Sequence, residues 1–136
     1  MTDRSNRLAR NLLKNRATSG DKIAFYMRNR PEYLEGLAAA FKARLTHVNV
    51  NYRYIENELL YLLDNADATT CIFSGEFIDH VEKIRGQLPG VTQWVQVDDG
   101  FPLMDGAIAF EDYATKGDAN ALDIKGFAEA QLLTSA

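Results

Sequence analysis

The sequence predicts an α/β protein: a mostly parallel sheet with flanking helices. Three observations point there. The run Ile23-Ala24-Phe25-Tyr26-Met27 is apolar without alternation, as expected of a strand covered by helices on both faces. Strand-like and helix-like segments then alternate from Asp21 to Asn65, the unit that builds parallel sheets. Thr69 to Phe73, rich in β-branched residues, resumes the pattern after the second helix. The expected strands are Ile23–Met27, His47–Asn51, Thr69–Phe73 and Thr92–Val97.

In chain order, Asp3 to Ala17 reads as a helix with Leu8, Leu12 and Leu13 on one stripe and Arg7, Arg10 and Lys14 on another face. That basic face is expected to be solvated surface. Thr18-Ser19-Gly20-Asp21 turns the chain into the first strand. A helix is predicted from Pro31 to Arg44, because proline fits a first helical turn, where its missing N–H is harmless. Glu32 and Glu35 suit its positive end, and Lys42 and Arg44 its negative end. Leu34, Leu37, Ala38, Phe41 and Leu45 share a face at helical spacing and are expected to point inward. Gly36, Ala39, Ala40 and Ala43 make the helix thin enough to lie close on a sheet, or to serve a partner helix.

Glu56 to Asp64 is the next helix. Ile55 stands before it and has no side-chain acceptor, a lost cap that costs about 1 kcal/mol. Ser74 is a candidate cap for a fourth helix, whose period is carried by Phe77, Val81, Ile84 and Leu88 and which Pro89-Gly90 stops. Phe101 to Asp118 reads as irregular, with one helical turn near Phe110 to Tyr113; Ala119 to Ala130 reads as a loop, and Gln131 to Thr134 begins another apolar run. The expected core is Phe25, Leu37, Phe41, Val48, Leu59, Leu63, Ile72, Val81, Ile84 and Val95.

Composition narrows the function classes. The chain has 136 residues, enough for one domain with one core, with 46% hydrophobic and 25% charged residues. Its formal net charge of −4 gives no field that would gather nucleic acid. No apolar run approaches the ~20 residues of a membrane span, and the amino terminus has no apolar signal core. A single cysteine forms no internal disulfide and has no metal-ligand spacing. The expectation is a cytoplasmic protein.

Candidate chemistry inside the chain is sparse. His47 falls in a strand and His80 on the polar side of a helix, and both read as structural. Cys71 lies within a strand and reads as a small core residue. Asp98-Asp99 follows a strand, where carboxylates can meet a metal or, through their turn, a phosphate. A response-regulator pocket would also need carboxylates after the first strand, where Arg28-Asn29-Arg30 stands instead. No G-x-G-x-x-G follows a strand, so the dinucleotide fingerprint is absent.

Several stretches in fixed order carry a resemblance: Ser5 to Arg10, the GDK strand opening at Gly20, N-R-P-E-Y from Asn29, the alanine-rich helix ending at Lys42-Ala43, V-N-V-N-Y-R-Y from Val48 to Tyr54, and E-L-L-Y-L-L-D-N-A-D-A from Glu58 to Ala68. Together they resemble the N-terminal domain of the adenylate-forming, AMP-binding enzymes: acyl-CoA synthetases, luciferases and peptide-synthetase adenylation domains. Within that superfamily the bacterial fatty-acid–CoA ligases are most similar. The resemblance covers residues 4 to 97 well and the rest loosely. Such enzymes carry a phosphate-binding loop, T-S-G-T-T-G-x-P-K-G, after an apolar strand. Here Ala130 to Ser135 looks like that strand and the first two loop residues.

The resemblance implies that residues 1–136 are a partial AMP-binding domain, truncated at the phosphate-binding loop. Thr134 and Ser135 would begin that loop and are the candidate cofactor-binding residues; no catalytic residue and no metal ligand is assigned. The intact family uses ATP, Mg2+ and CoA to convert a fatty acid or other carboxylate to an acyl-adenylate and then an acyl-CoA. This chain alone is expected to hold no cofactor and to be catalytically incomplete. A separately encoded C-terminal remainder would be its partner if the chain works as a stand-alone interaction module. A flavodoxin-like ligand-binding domain is the remaining alternative, with its ligand at Arg28 to Arg30, Asn51 to Tyr54, Ser74-Gly75 or Asp98-Asp99, beyond the carboxyl ends of the strands.

Overall fold

The structure is a computed structural model and describes residues 2–14, 20–28 and 30–117. Five parallel strands form one sheet in the order β2-β1-β3-β4-β5. They are β1 (Lys22–Tyr26), β2 (Thr46–Asn49), β3 (Ala68–Ser74), β4 (Gln93–Val97) and β5 (Ile108–Ala109). Phe25 pairs with Asn49 on one side and Ile72 on the other; Ile72 pairs with Val95, and Gln96 with Ala109. The helices are α1 (Thr2–Lys14), α2 (Pro31–Lys42), α3 (Glu56–Asn65), α4 (Ile78–Ile84) and α5 (Phe110–Thr115). Tight 3-10 turns, Gly75–Phe77 and Arg85–Gln87, flank α4.

The apolar run of β1 has the expected cause. Successive side chains alternate faces, and each face has its own cover. Ile23 and Phe25 join Ile72, Val95 and Val97 beneath α1, α2 and α5. Ala24 and Tyr26 join Cys71, Phe73 and Trp94 beneath α3 and α4. Phe77, Val81, Ile84 and Leu88 are all buried, as their period predicts.

The α2 face is the main correction. Leu34 is 59% and Phe41 64% exposed, so neither belongs to the core. The buried face is the thin one: Gly36, Ala39 and Ala40, with Ala43 just beyond the helix end. A Cβ on Gly36 would lie 2.5 Å from Cε1 of Phe25, so the sheet takes the small side and the large residues turn away. Leu37 is half-buried against this core and Val48 half-buried against the opposite one. The other expected core residues are buried.

Smaller differences have local reasons. Ser74 precedes the Gly75–Phe77 turn but makes no side-chain cap bond, and its buried Oγ has no partner. Residues His47 to Asn51 are not all strand: β2 ends at Asn49, and as an edge strand it leaves Thr46, His47 and Asn49 exposed. α2 ends in a left-handed residue, Arg44 at φ 60°, with Leu45 N–H donating to Ala40 O at 2.8 Å and Arg44 N–H to Phe41 O at 3.2 Å. This closure usually falls on glycine. The stretch read as irregular holds β5, too short to leave a pattern, and α5 around the expected turn at Phe110 to Tyr113. Residues 15–17 of the first predicted helix, the loop Ala119 to Ala130 and the run Gln131 to Thr134 lie outside the described residues.

Polar bonds tie the ends of the described chain together. Arg4 of α1 donates to Glu35 of α2 and to Glu111 of α5, the latter at 2.7 and 2.9 Å. Asn11 Nδ2 donates to Tyr113 O at 2.8 Å, and Gln93 Nε2 to Leu12 O at 3.2 Å.

Candidate functional site

All strands run parallel, so their carboxyl ends gather at one end of the sheet. β1 lies between β2 and β3. The chain therefore winds outward in both directions from β1, and the crevice beyond β1 and β3 is where open α/β sheets take ligands. The sequence places Arg28 after β1, Asn51 to Tyr54 after β2, Gly75-Glu76 after β3 and Asp98-Asp99 after β4.

The molecule's own groups bridge this crevice. Arg28 Nε donates to Glu76 Oε1 at 2.8 Å, a link from β1 to β3 that raises the guanidinium's already high pKa. The Glu76 N–H, a donor a ligand would want, donates to Asp99 Oδ2 at 2.9 Å. Gly75 permits this approach, because a Cβ there would lie 2.3 Å from Asp99 Oδ1. Asp98 Oδ1 accepts the Gly100 N–H at 3.1 Å, and Asp98 O accepts from Arg30 at 3.4 Å. Arg28 also lies over the Tyr52 ring, 4.6 Å from its centroid.

These tips do not fit a nucleotide polyphosphate. A phosphate cradle needs backbone N–H groups free to converge on the anion. Here the Glu76 and Gly100 amides already face carboxylates, and the Glu76 and Asp99 charges stand in the crevice. Asp98 and Asp99 are thus loop fasteners, and no group of three or more His, Cys, Asp or Glu side chains suited to a metal occurs among the described residues.

Two cavities flank the crevice. One of about 480 Å³ lies at the tips of β1 and β2, lined by Tyr33, Tyr52, Tyr54, Asn49 and Asn51 with Met27, Val50 and Leu62. Among the described residues its lining offers tyrosine hydroxyls and asparagine amides, without a carboxylate, histidine or thiol. Another of about 220 Å³ lies beside β4 and β5 and includes Gln96, Asp98, Phe101 and Glu111.

A further group of charged side chains joins two helices. His80 Nδ1 is 2.8 Å from Glu56 Oε2, and Lys83 Nζ is 3.0 Å from Glu56 Oε1, fastening α4 to the start of α3. Lys83, the Glu56 backbone and then His80 pull the Glu56 carboxyl down to about 2. His47 sits on the exposed edge strand with its ring 6.5 Å from Phe25. Cys71 is fully buried, and desolvation pushes its thiol pKa far up, which makes it inert. Tyr26 donates its hydroxyl to Tyr54 O, stacks on Phe77 at 4.4 Å, and is pushed up to about 12 by burial. Sequence reasoning missed the Arg4–Glu35–Glu111 group and the buried Gln93 and Gln96; the only available signal was polar residues inside the apolar Gln93–Val97 strand. Thr134 and Ser135 lie outside the described residues.

Fold and tips together define a doubly covered parallel α/β scaffold without a reactive constellation among its described residues. The chain matches the AMP-binding enzyme family over residues 1–128, and it belongs to that family. It is 41% identical over 100 residues to a 3-oxocholest-4-en-26-oate–CoA ligase of Rhodococcus rhodochrous, a match covering 74% of this chain and 18% of that one. It is 36% identical over 125 residues to the medium-chain acyl-CoA ligase Mig of Mycobacterium avium, covering 81% and 23%. The chain thus spans about a fifth of the length of these curated relatives. Among solved structures, it superposes on acetoacetyl-CoA synthetase from Streptomyces lividans with TM-score 0.81 at 18% identity, over 89% of this chain and 20% of that one. It superposes on a red-emitting luciferase of Phrixothrix hirtus with TM-score 0.75 at 19% identity, over 90% and 29%. These two superpositions carry the fold alone. Family membership replaces the flavodoxin-like alternative, whose strand order the sheet shares. No helix among the described residues is long and apolar enough to cross a membrane.

Proposed function

We propose that residues 1–136 form part of the scaffold of an acyl-CoA ligase. The whole enzyme would activate a fatty acid or other carboxylate with ATP and Mg2+ to an acyl-adenylate, then pass the acyl group to CoA, in the cytoplasm. Thr134 and Ser135 would begin its phosphate-binding loop. The chain by itself is catalytically incomplete. One observation carries this last point: the Glu76 amide, at the crevice where an anion would bind, is bonded to Asp99. The relatives' names, all CoA ligases of fatty or steroid acids, support the substrate class.

Two hydroxyls contribute about 1 kcal/mol each as hydrogen bonds, while ordering backbone costs about 1–2 kcal/mol per residue. Two hydroxyl contacts by themselves would therefore hold ATP negligibly. The test is ATP–pyrophosphate exchange with a panel of fatty acids and Mg2+, alongside calorimetric titration of ATP. No exchange above a boiled control is expected. Exchange that disappears in Thr134→Ala/Ser135→Ala would overturn the incomplete-scaffold reading.

A second reading, an interaction module paired with a separately encoded remainder, is favoured by the apolar side chains that α2 turns outward.

A further inference from the structure

An aspartate followed by glycine occurs twice, at Asp99-Gly100 and Asp105-Gly106. At such a pair the glycine nitrogen can attack the aspartate side chain, because no side chain on the glycine obstructs the approach. The structure treats the two pairs oppositely. Asp99 Oδ2 accepts the Glu76 N–H at 2.9 Å, and the Gly100 N–H, the group that would attack, donates to Asp98 Oδ1 at 3.1 Å. Both reacting groups are held there. Asp105 and Gly106 instead lie exposed in a turn closed by one bond, from the Ala107 N–H to Met104 O at 3.0 Å. Among the described residues, neither the Asp105 carboxylate nor the Gly106 N–H has a hydrogen-bond partner. A segment held so lightly opens locally, which lets the Gly106 nitrogen swing to the carboxyl carbon. Arg85 adds a second difference. Its Nη1 donates to Asp105 O, and its guanidinium lies against Gly106, 3.0 Å from where a Cβ would stand. Asp105 O belongs to the peptide unit whose nitrogen attacks. A charged donor on that oxygen draws electron density from the unit and eases loss of the N–H proton. It also polarises the carbonyl carbon toward water, and it is placed to pair with the carboxylate that water would leave there.

We infer that Asp105-Gly106 is a site of spontaneous backbone isomerisation, and that Arg85 directs it to the isoaspartyl product. In the first step the Gly106 nitrogen bonds to Asp105 Cγ and the Cγ–OH bond breaks. The amide proton and the hydroxyl leave as water, and a succinimide ring closes. In the second step water adds to the Asp105 main-chain carbonyl carbon, and the bond from that carbon to the Gly106 nitrogen breaks. The nitrogen keeps its bond to Cγ and takes a proton. One water is lost and one gained, and nothing is oxidised or reduced. The main chain then runs through the side chain, longer by one carbon, and a free carboxylate stands where Arg85 held a carbonyl. The added length falls between Met104, whose N–H donates to Gln96 Oε1 at 2.7 Å, and β5, which pairs Ala109 with Gln96. Isomerisation therefore loosens β5 on β4.

The test ages the full chain for days at neutral pH in oxygen-labelled water. Both aspartate–glycine peptides are followed by mass spectrometry with electron-transfer fragmentation, which tells isoaspartate from aspartate. Each ring that opens takes up one labelled oxygen, so reacted molecules are counted even where aspartate is regenerated. Asp105 is expected to take up label about tenfold faster than Asp99, the rate equivalent of one hydrogen bond to a charged group. In urea the two are expected to react alike. Equal rates in the folded chain would overturn the inference, and so would a difference that persists unchanged in urea, which would assign it to local sequence. Arg85→Gln removes the charged donor. It is expected to slow labelling at Asp105 by about tenfold and to lower the isoaspartyl share among labelled molecules, with the circular dichroism of the parent. An unchanged rate and share would overturn the role of Arg85. Asp98→Ala leaves Arg85 in place and releases the Gly100 N–H, so labelling at Asp99 is expected to rise several-fold while Asp105 keeps the parent rate. No rise at Asp99 would show that the bonds there do not protect it, and would overturn the contrast on which the inference stands.

Discussion

Gly36 lies directly over the Phe25 ring, so close that a Cβ would stand 2.5 Å from Cε1. Phe25 is itself fully buried and packed on Tyr33 at a ring separation of 5.5 Å, with the His47 ring 6.5 Å away. The ring cannot retreat without disturbing both. Gly36→Ala is therefore expected to destabilise by about 1–3 kcal/mol through overpacking, despite alanine's better helix propensity. Urea unfolding checks this. A variant as stable as the parent would show that α2 stands further from the sheet.

Phe25 and Phe41 should respond oppositely to truncation. Phe25→Ala empties a buried site and is expected to cost about 3–5 kcal/mol. Phe41→Ala removes a ring that is 64% exposed, and should cost less than about 1 kcal/mol in the isolated chain. Equal losses in thermal or chemical unfolding would return Phe41 to the core.

The Glu56 carboxyl is held at about 2, against an ordinary value of 4.5, first by Lys83, then by its own backbone N–H and by His80. A depressed carboxyl stabilises the fold above its unfolded value, and that contribution fades as pH falls through its folded value. The stability gap between the parent and Glu56→Gln should be full above about pH 4.5 and vanish towards pH 2. High salt should shrink it, because the group is partly open to solvent. A gap independent of pH across this window would show that Glu56 acts through packing instead.

Tyr26 behaves at the other end of the scale. Burial pushes its hydroxyl from 10.0 to about 12, so the folded state resists ionisation. Stability is complete below pH 10 and declines as pH rises toward 12. Tyr26→Phe should remove part of this alkaline decline, and absorbance titration of the parent should show phenols ionising late, one fewer in the variant. Tyr113, also raised by burial, contributes in the same direction.

The strands are legible in the sequence because both faces of the sheet are covered. Ile23 to Met27 can be an unbroken apolar run only if no side meets water, and the two separate cores bear that out. α4 is equally plain, since its spacing and its burial coincide. α2 misleads because its large apolar residues suggest an inward face. Which side of a helix meets a sheet depends on the space left by the opposing side chain, and Phe25 leaves none. That fact belongs to a contact between distant positions, not to either local pattern. β5 is invisible because two residues have no period. The site is less readable still. The bond from the Glu76 amide to Asp99 joins two loops whose adjacency only the strand order reveals, and Thr134 and Ser135 fall outside the described residues.

Arg4 has a consequence for the order in which the chain takes shape. Its partners are 31 and 107 positions further on. During synthesis, at about 5–20 residues per second, α1 emerges well before α5 and waits several seconds before Glu111 exists. Through that interval the buried face of Leu8, Ala9 and Leu12 lacks its final neighbours in α5. Although it precedes α2 and α5 in the chain, α1 is thus locked in place only once they have formed. Slower translation past residue 100 lengthens the time during which a nascent chain displays that stripe to chaperones or to another nascent chain.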